Sequence, residues 1–452
     1  MMLDLKQKFH GYWMKGISSW CFCIVMVFVS MVSAVAGVPV EQWKTTNGAK
    51  VMFVGTSAVP IVDISVEFDA GSRFDPANKS GLAALTNSML DKGIASRYGV
   101  KGMSESQIMD AFADAGAIQF SKIGMDRSGY RLRVLSDQTS AHDAIQLMGR
   151  FLAYPSFPEE VLKRERAIMT AVIKEELTRP QNIGSRTFQQ ILYGEHPYGR
   201  SPTEASIAAI TRKDIINFYR TYYVADRAVI GIVGNVTRKQ AEDIAERMSQ
   251  QLSVSSFPIP TLPDVPEQKD RIQMIPHPAS QAHLFKGMAA IKRGDPDFFA
   301  LTVGNYILGG GGFSSRLMNE VREKLGLSYG VSSNFQSLLQ PGPFTISLQT
   351  KKSQVSEALK VVNQTLNDFL KNGPTAQEVQ EAKAHLMSGF VMNLDGNQKI
   401  LDLITMIGAY DLPLDYLDTW TDKIQSVTVD DVRAAFNRKL SAEKMTTVVV
   451  GN

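Results

Sequence analysis

The sequence predicts a two-copy chain of mixed α+β or α/β class. Three observations carry this: an internal repeat, alternating strand-like and helical runs, and a proline-rich joint midway. The repeat is read from Ile207-Ala-Ala-Ile210-Thr211-Arg-Lys-Asp214-Ile215. It returns as Ile424-Gln-Ser-Val427-Thr428-Val-Asp-Asp431-Val432, an offset of 217 (424 less 207). The same offset carries residues 229–235 onto 446–452. In each copy a threonine, Thr211 or Thr428, stands as N-cap before alternating apolar positions. A short β-branched strand then closes on Gly-Asn.

Further upstream, residues 157–178 and 375–394 each read as a long amphipathic helix after a proline-containing turn. Strand-like runs at 62–68, 130–134 and 344–348 alternate with helical runs at 105–113, 141–152 and 353–370. The halves are about 38–253 and 270–452. Between them, 254–270 holds Pro258, Pro260, Pro263 and Pro266, the composition of an extended connector.

The first 36 residues have a different layout. Lys6, Lys8 and Lys15 precede a run of seventeen mostly apolar residues, 21–37, and Ala34-Val35-Ala36 supplies small residues at A-x-A spacing. That is the layout of a secretory signal peptide, cleaved after Ala36. A membrane span needs about 20 apolar residues, so an uncleaved anchor is the alternative, and only then is a membrane a partner. Both cysteines, Cys21 and Cys23, lie in this run, which leaves the mature chain without disulfides or thiolate metal sites. The expectation is export to a bacterial periplasm.

At 452 residues the chain exceeds a single core. Its 44% hydrophobic and 21% charged content is that of a soluble globular body. A net charge of +3 without a basic stripe argues against nucleic acid. Beyond the leader stand His142, His196, His277, His283 and His385, and none forms an H-x3-H pair. They read as surface or loop residues, and His196, in GEHPYGR, as structural.

Two segments bear on chemistry. Residues 309–329 read GGGGFSSRLMNEVREKLGLSY, with Arg322 and Tyr329 seven apart. An arginine fork suits a peptide carbonyl or carboxylate, and a tyrosine hydroxyl can donate where charge develops. Taken alone, Arg322 would pair with Glu320 or Glu323 and Tyr329 would fill core. Gly309, Gly310, Gly311 and Gly312 permit close backbone approach, but no G-K-[S/T] follows, which excludes a nucleotide loop. The other segment, 71–93, reads GSRFDPANKSGLAALTNSMLDKG. On a helix opened by Gly81 and Leu82, Ala84, Asn87 and Ser88 stand at i, i+3 and i+4 and share one face.

Together these segments resemble the M16 (insulinase or pitrilysin-like) zinc peptidases over about 38–452. The resemblance implies two homologous α/β-roll domains, each a mixed but mostly antiparallel sheet flanked by helices, arranged as a half-shell. That family places an inverted HxxEH where this chain has Ala84, Asn87 and Ser88. Its third ligand, a glutamate seven residues after another, falls here on Val172 after Glu165. Alanine has no donor atom, and asparagine and serine bind zinc poorly. The chain is therefore expected to bind no metal or cofactor, with zinc held by an HxxEH-bearing sister subunit in a heterodimer.

By the same resemblance, Arg322 and Tyr329 bind substrate and stabilise the oxyanion in trans. The four glycines are similar to the substrate-handling loop of the non-catalytic subunit of mitochondrial processing peptidase. The implied function is a non-catalytic subunit of an endopeptidase acting on short or unfolded peptides. Its rivals are a structural or peptide-binding protein without catalysis, and an active zinc peptidase.

Overall fold

Strand alternation resolves into two sheets whose connectivities match. The computed structural model describes residues 38–97, 99–136 and 139–451. The leader, with its lysines and cysteines, lies outside the described residues. In the first half the strands are β1 (Glu41–Lys44), β2 (Lys50–Gly55), β3 (Ile61–Phe68), a small hairpin of β4 (Gly93–Ile94) and β5 (Met103–Ser104), β6 (Ile118–Ile123), β7 (Ser128–Leu135) and β8 (Ala228–Gly234). In the second half they are β9 (Arg271–Ile275), β10 (Gln281–Ile291), β11 (Val331–Phe335), β12 (Gly342–Lys351) and β13 (Thr446–Val450).

The first sheet runs β1-β2-β8-β3-β7-β6 and the second β9-β13-β10-β12-β11. Only β2–β8 and β9–β13 are parallel pairs; every other neighbour is antiparallel. Five strands thus repeat with order and direction kept, and β1 is an addition to the first copy. The helices repeat too. Adding 217 to Glu159, Pro180 and Arg212, the first residues of three helices, gives Ala376, Asn397 and Val429, the first residues of three more. Both threonine caps form as reciprocal boxes: the Thr211 amide donates to Asp214 Oδ2 at 2.8 Å, and Thr428 to Asp431 at 2.9 Å. The connector carries neither helix nor strand, and Gln268 fastens it by donating to the Leu192 carbonyl at 3.3 Å.

The halves exchange helices. Pro180–Tyr193 of the first half packs on β10 and β13, while its repeat, Asn397–Ala409, packs on β8, β3 and β2. This explains a pattern on β3 that ordinary alternation does not. Val62, Ile64, Val66 and Phe68 enter the first core, yet Asp63 and Glu67 on the opposite face are buried as well. Asp63 is held by Arg133 at 2.8 and 3.0 Å and Glu67 by Lys122 at 2.6 Å, so both charges are matched. The exchange needs missing side chains. A Cβ on Gly184 would stand 2.8 Å from Phe285 Cδ2, and one on Gly408 would stand 2.6 Å from Met52 Cγ.

A second tie is ionic. The β6–β7 turn buries Asp126, only 3% exposed. Its Oδ1 accepts from Arg73 Nη1 at 3.0 Å and from the Tyr198 hydroxyl at 2.6 Å. Its Oδ2 accepts from the Tyr410 hydroxyl and the Leu339 amide, each at 2.9 Å. Arg73 and Tyr198 belong to the first half, Tyr410 and Leu339 to the second. Burial, and then the charge of Asp126, push both phenols well above the usual tyrosine range, so they remain neutral donors.

The exchanged helix yields an opposite-sign test. Gly389, on the helix Ala376–Val391, has nothing within 4 Å of an added Cβ. Gly389→Ala should stabilise the protein by about 0.5–1 kcal/mol. Gly184→Ala gains the same helix propensity but collides with Phe285, and overpacking of about 1–3 kcal/mol should make it a net loss. Urea unfolding of both variants checks the pair of signs.

Candidate functional site

The helix Leu82–Ser88 is held at its start by Asp75, whose carboxylate accepts from the Gly81 and Ala83 amides at 2.7 and 2.8 Å. Gly81 takes φ +101°, a left-handed turn that glycine tolerates. Burial pushes the Asp75 carboxyl up to about 7, against the opposing pull of those amides and of Arg200. The three positions that share a face then have separate fates. Ala84 is half-buried and carries no polar atom. Asn87 is fully buried and committed: its Nδ2 donates to the Lys122 and Gly129 carbonyls, each at 3.3 Å, and its Oδ1 accepts from the Tyr223 hydroxyl at 3.0 Å. Ser88 Oγ donates to the Leu85 carbonyl at 3.0 Å, within its own helix.

Val172 lies on the next long helix, Glu159–Glu176, 47% exposed and apolar. Glu165 pairs with Arg164 at 2.8 Å. These residues do not fit zinc: Ala84 has no donor atom, Asn87 has both amide hydrogens and its oxygen in hydrogen bonds, Ser88 offers only a neutral hydroxyl turned to the Leu85 carbonyl, and Val172 is hydrocarbon. Among the described residues no three histidine, cysteine, aspartate or glutamate side chains gather as a metal site requires. His196 is buried, and its Nδ1 accepts from the Tyr198 amide at 3.1 Å, the structural place its motif implies.

The glycine run differs from a plain flexible turn. The helix Phe298–Asn305 widens into a π-helical turn, Tyr306–Gly310, closed by the Gly311 amide on the Tyr306 carbonyl at 2.8 Å. A Cβ on Gly309 would stand 2.6 Å from the Ser333 amide, so this glycine lets the turn rest on β11. Gly310 and Gly312 are exposed, and Gly312 has φ +59°. A second π-helical turn, Met318–Glu323, carries Arg322. Wide turns of this kind recur at functional sites.

Arg322 lies 4.7 Å from the centre of the Phe313 ring, and its Nε is 3.5 Å from Glu323. Both Arg322 partners are partly in water, so neither holds it strongly. Tyr329 does not fill core: it is 82% exposed. Ser328 fixes the turn beneath it, donating to the Gly330 carbonyl at 2.7 Å and accepting the Gly330 amide at 3.1 Å. Arg322 and Phe313 are thus in contact just after the glycines, and Tyr329, seven residues after Arg322 in sequence, is exposed. Among the described residues no hydrogen bond, ion pair or ring contact joins Arg322 or Tyr329 to the helix Leu82–Ser88.

Two features escaped the motifs. Edge strand β6 exposes Ile118, Phe120 and Ile123, and its Lys122 carbonyl is the one that Asn87 holds. Asp126 had no local signal, although two of its donors lie in recognisable stretches: Arg73 within GSRFDP and Tyr198 within HPYGR.

Comparison with known proteins gives concordant matches. The family profile described as insulinase (peptidase family M16) matches residues 50–205, and the one described as peptidase M16 inactive domain matches 209–386. The crystal structure of a peptidase M16 inactive domain from Pseudomonas fluorescens is 36% identical, covers 91% of this chain and 97% of its own, and superposes with a TM-score of 0.85. A Bacillus subtilis protein named as the uncharacterized zinc protease YmxG is 25% identical over 79% of this chain and 85% of its own. The periplasmic protease PqqL of Escherichia coli shares the fold, with a TM-score of 0.76 at 18% identity, over 91% of this chain and 45% of that one.

Asn87 and Asp75 can each be tested. Asn87→Ala strips partners from two carbonyls and a buried phenol and should cost about 1–3 kcal/mol, whereas Ser88→Ala should stay within about 0.5 kcal/mol. For Asp75, a folded pKa of about 7 stands above the unfolded value of 3.8, so the protonated form favours the fold. That contribution is complete below about pH 4 and is lost as pH rises through about 7. Wild-type stability should fall over that range relative to Asp75→Asn, measured by chemical unfolding at each pH.

Proposed function

Because the chain belongs to the M16 (insulinase) family of zinc peptidases, we propose that it is the non-catalytic, substrate-binding subunit of a two-chain endopeptidase. The observation that carries the reading is a contrast within the one chain. The positions that would hold zinc are apolar or engaged in hydrogen bonds of the fold, while Tyr329 is held out into water and Arg322 lies partly exposed against the Phe313 ring. A sister chain carrying HxxEH holds the zinc, which supplies the activated water. This chain contributes the donors: Arg322 grips the substrate backbone and Tyr329 steadies the developing oxyanion. Gly310 and Gly312, exposed and without side chains, admit a peptide close to the backbone.

Substrates in this reading are short or unfolded peptides. Edge strand β6 supports it, since an unpaired strand edge with exposed Ile118 and Phe120 accepts an extended chain by main-chain hydrogen bonds. The site of action is the periplasm, reached through the leader. Among the described residues no helix is long and apolar enough to cross a membrane.

The chain alone should leave unstructured peptides intact, and mixing with its HxxEH partner should give chelator-sensitive cleavage. In that complex Tyr329→Phe should lower kcat by about 100- to 1000-fold, roughly 2.7–4 kcal/mol, with assembly unchanged. Arg322→Ala should weaken peptide binding as well. Wild-type kinetics for both variants in a verified complex would overturn the assignment.

A further inference from the structure

We propose that a cleft in the second half, which Arg322 and Tyr329 do not line, is a binding site for a small organic anion with a flat apolar body. The cleft has a volume of about 630 Å³ and is walled by Phe299, Tyr410, Leu412 and Tyr416, with Arg293 and Lys423 among its lining. That volume is in the range of small-molecule sites, roughly 300–1,000 Å³.

Charge matching around the cleft is uneven. Three of the four acids there are ion-paired: Asp295 with Lys439 at 2.6 Å, Asp297 with Arg438 at 2.5 Å, and Asp411 with Lys50. Asp431 accepts the Thr428 amide at 2.9 Å as part of its helix cap. The two remaining cations have no carboxylate partner among the described residues. Arg293 donates from Nη2 to the Ser337 carbonyl at 3.2 Å and lies 5.4 Å from the Tyr410 ring centre, while its Nε is buried without a hydrogen-bond partner. Lys423 Nζ lies 5.4 Å from the Phe299 ring centre.

Two unneutralised cations on an aromatic wall complement a carboxylate or sulfonate attached to a planar ring. The aromatic faces take the body and the cations take the charge. Tyr410 also donates to Asp126, so a ligand seated here abuts the tie between the halves and raises thermal stability by mass action.

The test is fluorescence titration of the full chain with 8-anilinonaphthalene-1-sulfonate, read beside its neutral relative N-phenyl-1-naphthylamine. The expected result is one saturable site for the anion, a rise in melting temperature on binding, and affinity weaker by about tenfold or more for the neutral probe. Lys423→Gln and Arg293→Gln should each weaken the anion by about tenfold. Lys423 is half-exposed on a helix surface, so its variant folds and decides the matter even where Arg293→Gln does not. Equal anion affinity in wild type and Lys423→Gln, or equal affinity for the two probes, would overturn the proposal.

Discussion

The carboxylate of Asp126 is the constraint on which the two-half structure turns. A buried charge is tolerated only when its lone pairs are filled, and here two donors come from each half. Withdrawing either half would strand the charge in a dry site. The exchanged helices act in the same direction by packing: Pro180–Tyr193 can cover β10 and β13 only while Asn397–Ala409 covers β8, β3 and β2. One tie is polar and directional, the other apolar and broad. Together they make residues 39–451 part of one compact unit although the sequence holds two copies of a domain.

The same knot leads directly to the helix Leu82–Ser88. Arg73, which answers Asp126, is followed two residues later by Asp75, which anchors the helix Leu82–Ser88. On that helix Asn87 does the work of a framework residue, bonding β6, β7 and Tyr223 at once. An imidazole or a carboxylate at these positions would need the pocket arranged around an ion; asparagine fills it with amide hydrogen bonds. Asn87 is thus part of the local hydrogen-bonded framework that joins this helix to the sheet.

Exposure marks the other half of the division. Glycines at 309 and 311 lie where any side chain would strike β11 or the preceding turn, and the backbone widens into π-helical turns on both sides of Phe313. That geometry leaves Phe313 and Tyr329 in water, an unfavourable place for two aromatic rings unless something covers them. The cleft near Tyr410 is lined by other residues, and its Arg293 and Lys423 have no carboxylate partner among the described residues.

Much of the fold was legible because the signals are local. Thr211 and Thr428 bond residues three positions on, the strands follow a two-residue period, and the offset of 217 places three pairs of helix starts. That Ala84, Asn87 and Ser88 share one face was legible for a related reason, since spacing on one helix is set by its pitch, whereas their correspondence to zinc-ligand positions came only from the family resemblance. The sequence could not say that Tyr329 would be exposed, nor that Asn87 would be held by a residue 136 positions away. Nor could it place Asp126 against Tyr410, 284 positions on, or show that the polar face of β3 lies under the other half's helix. Periodicity decides which side of an element is apolar. Which partner arrives on that side depends on closing long loops into one packing arrangement, and only the tertiary structure decides it.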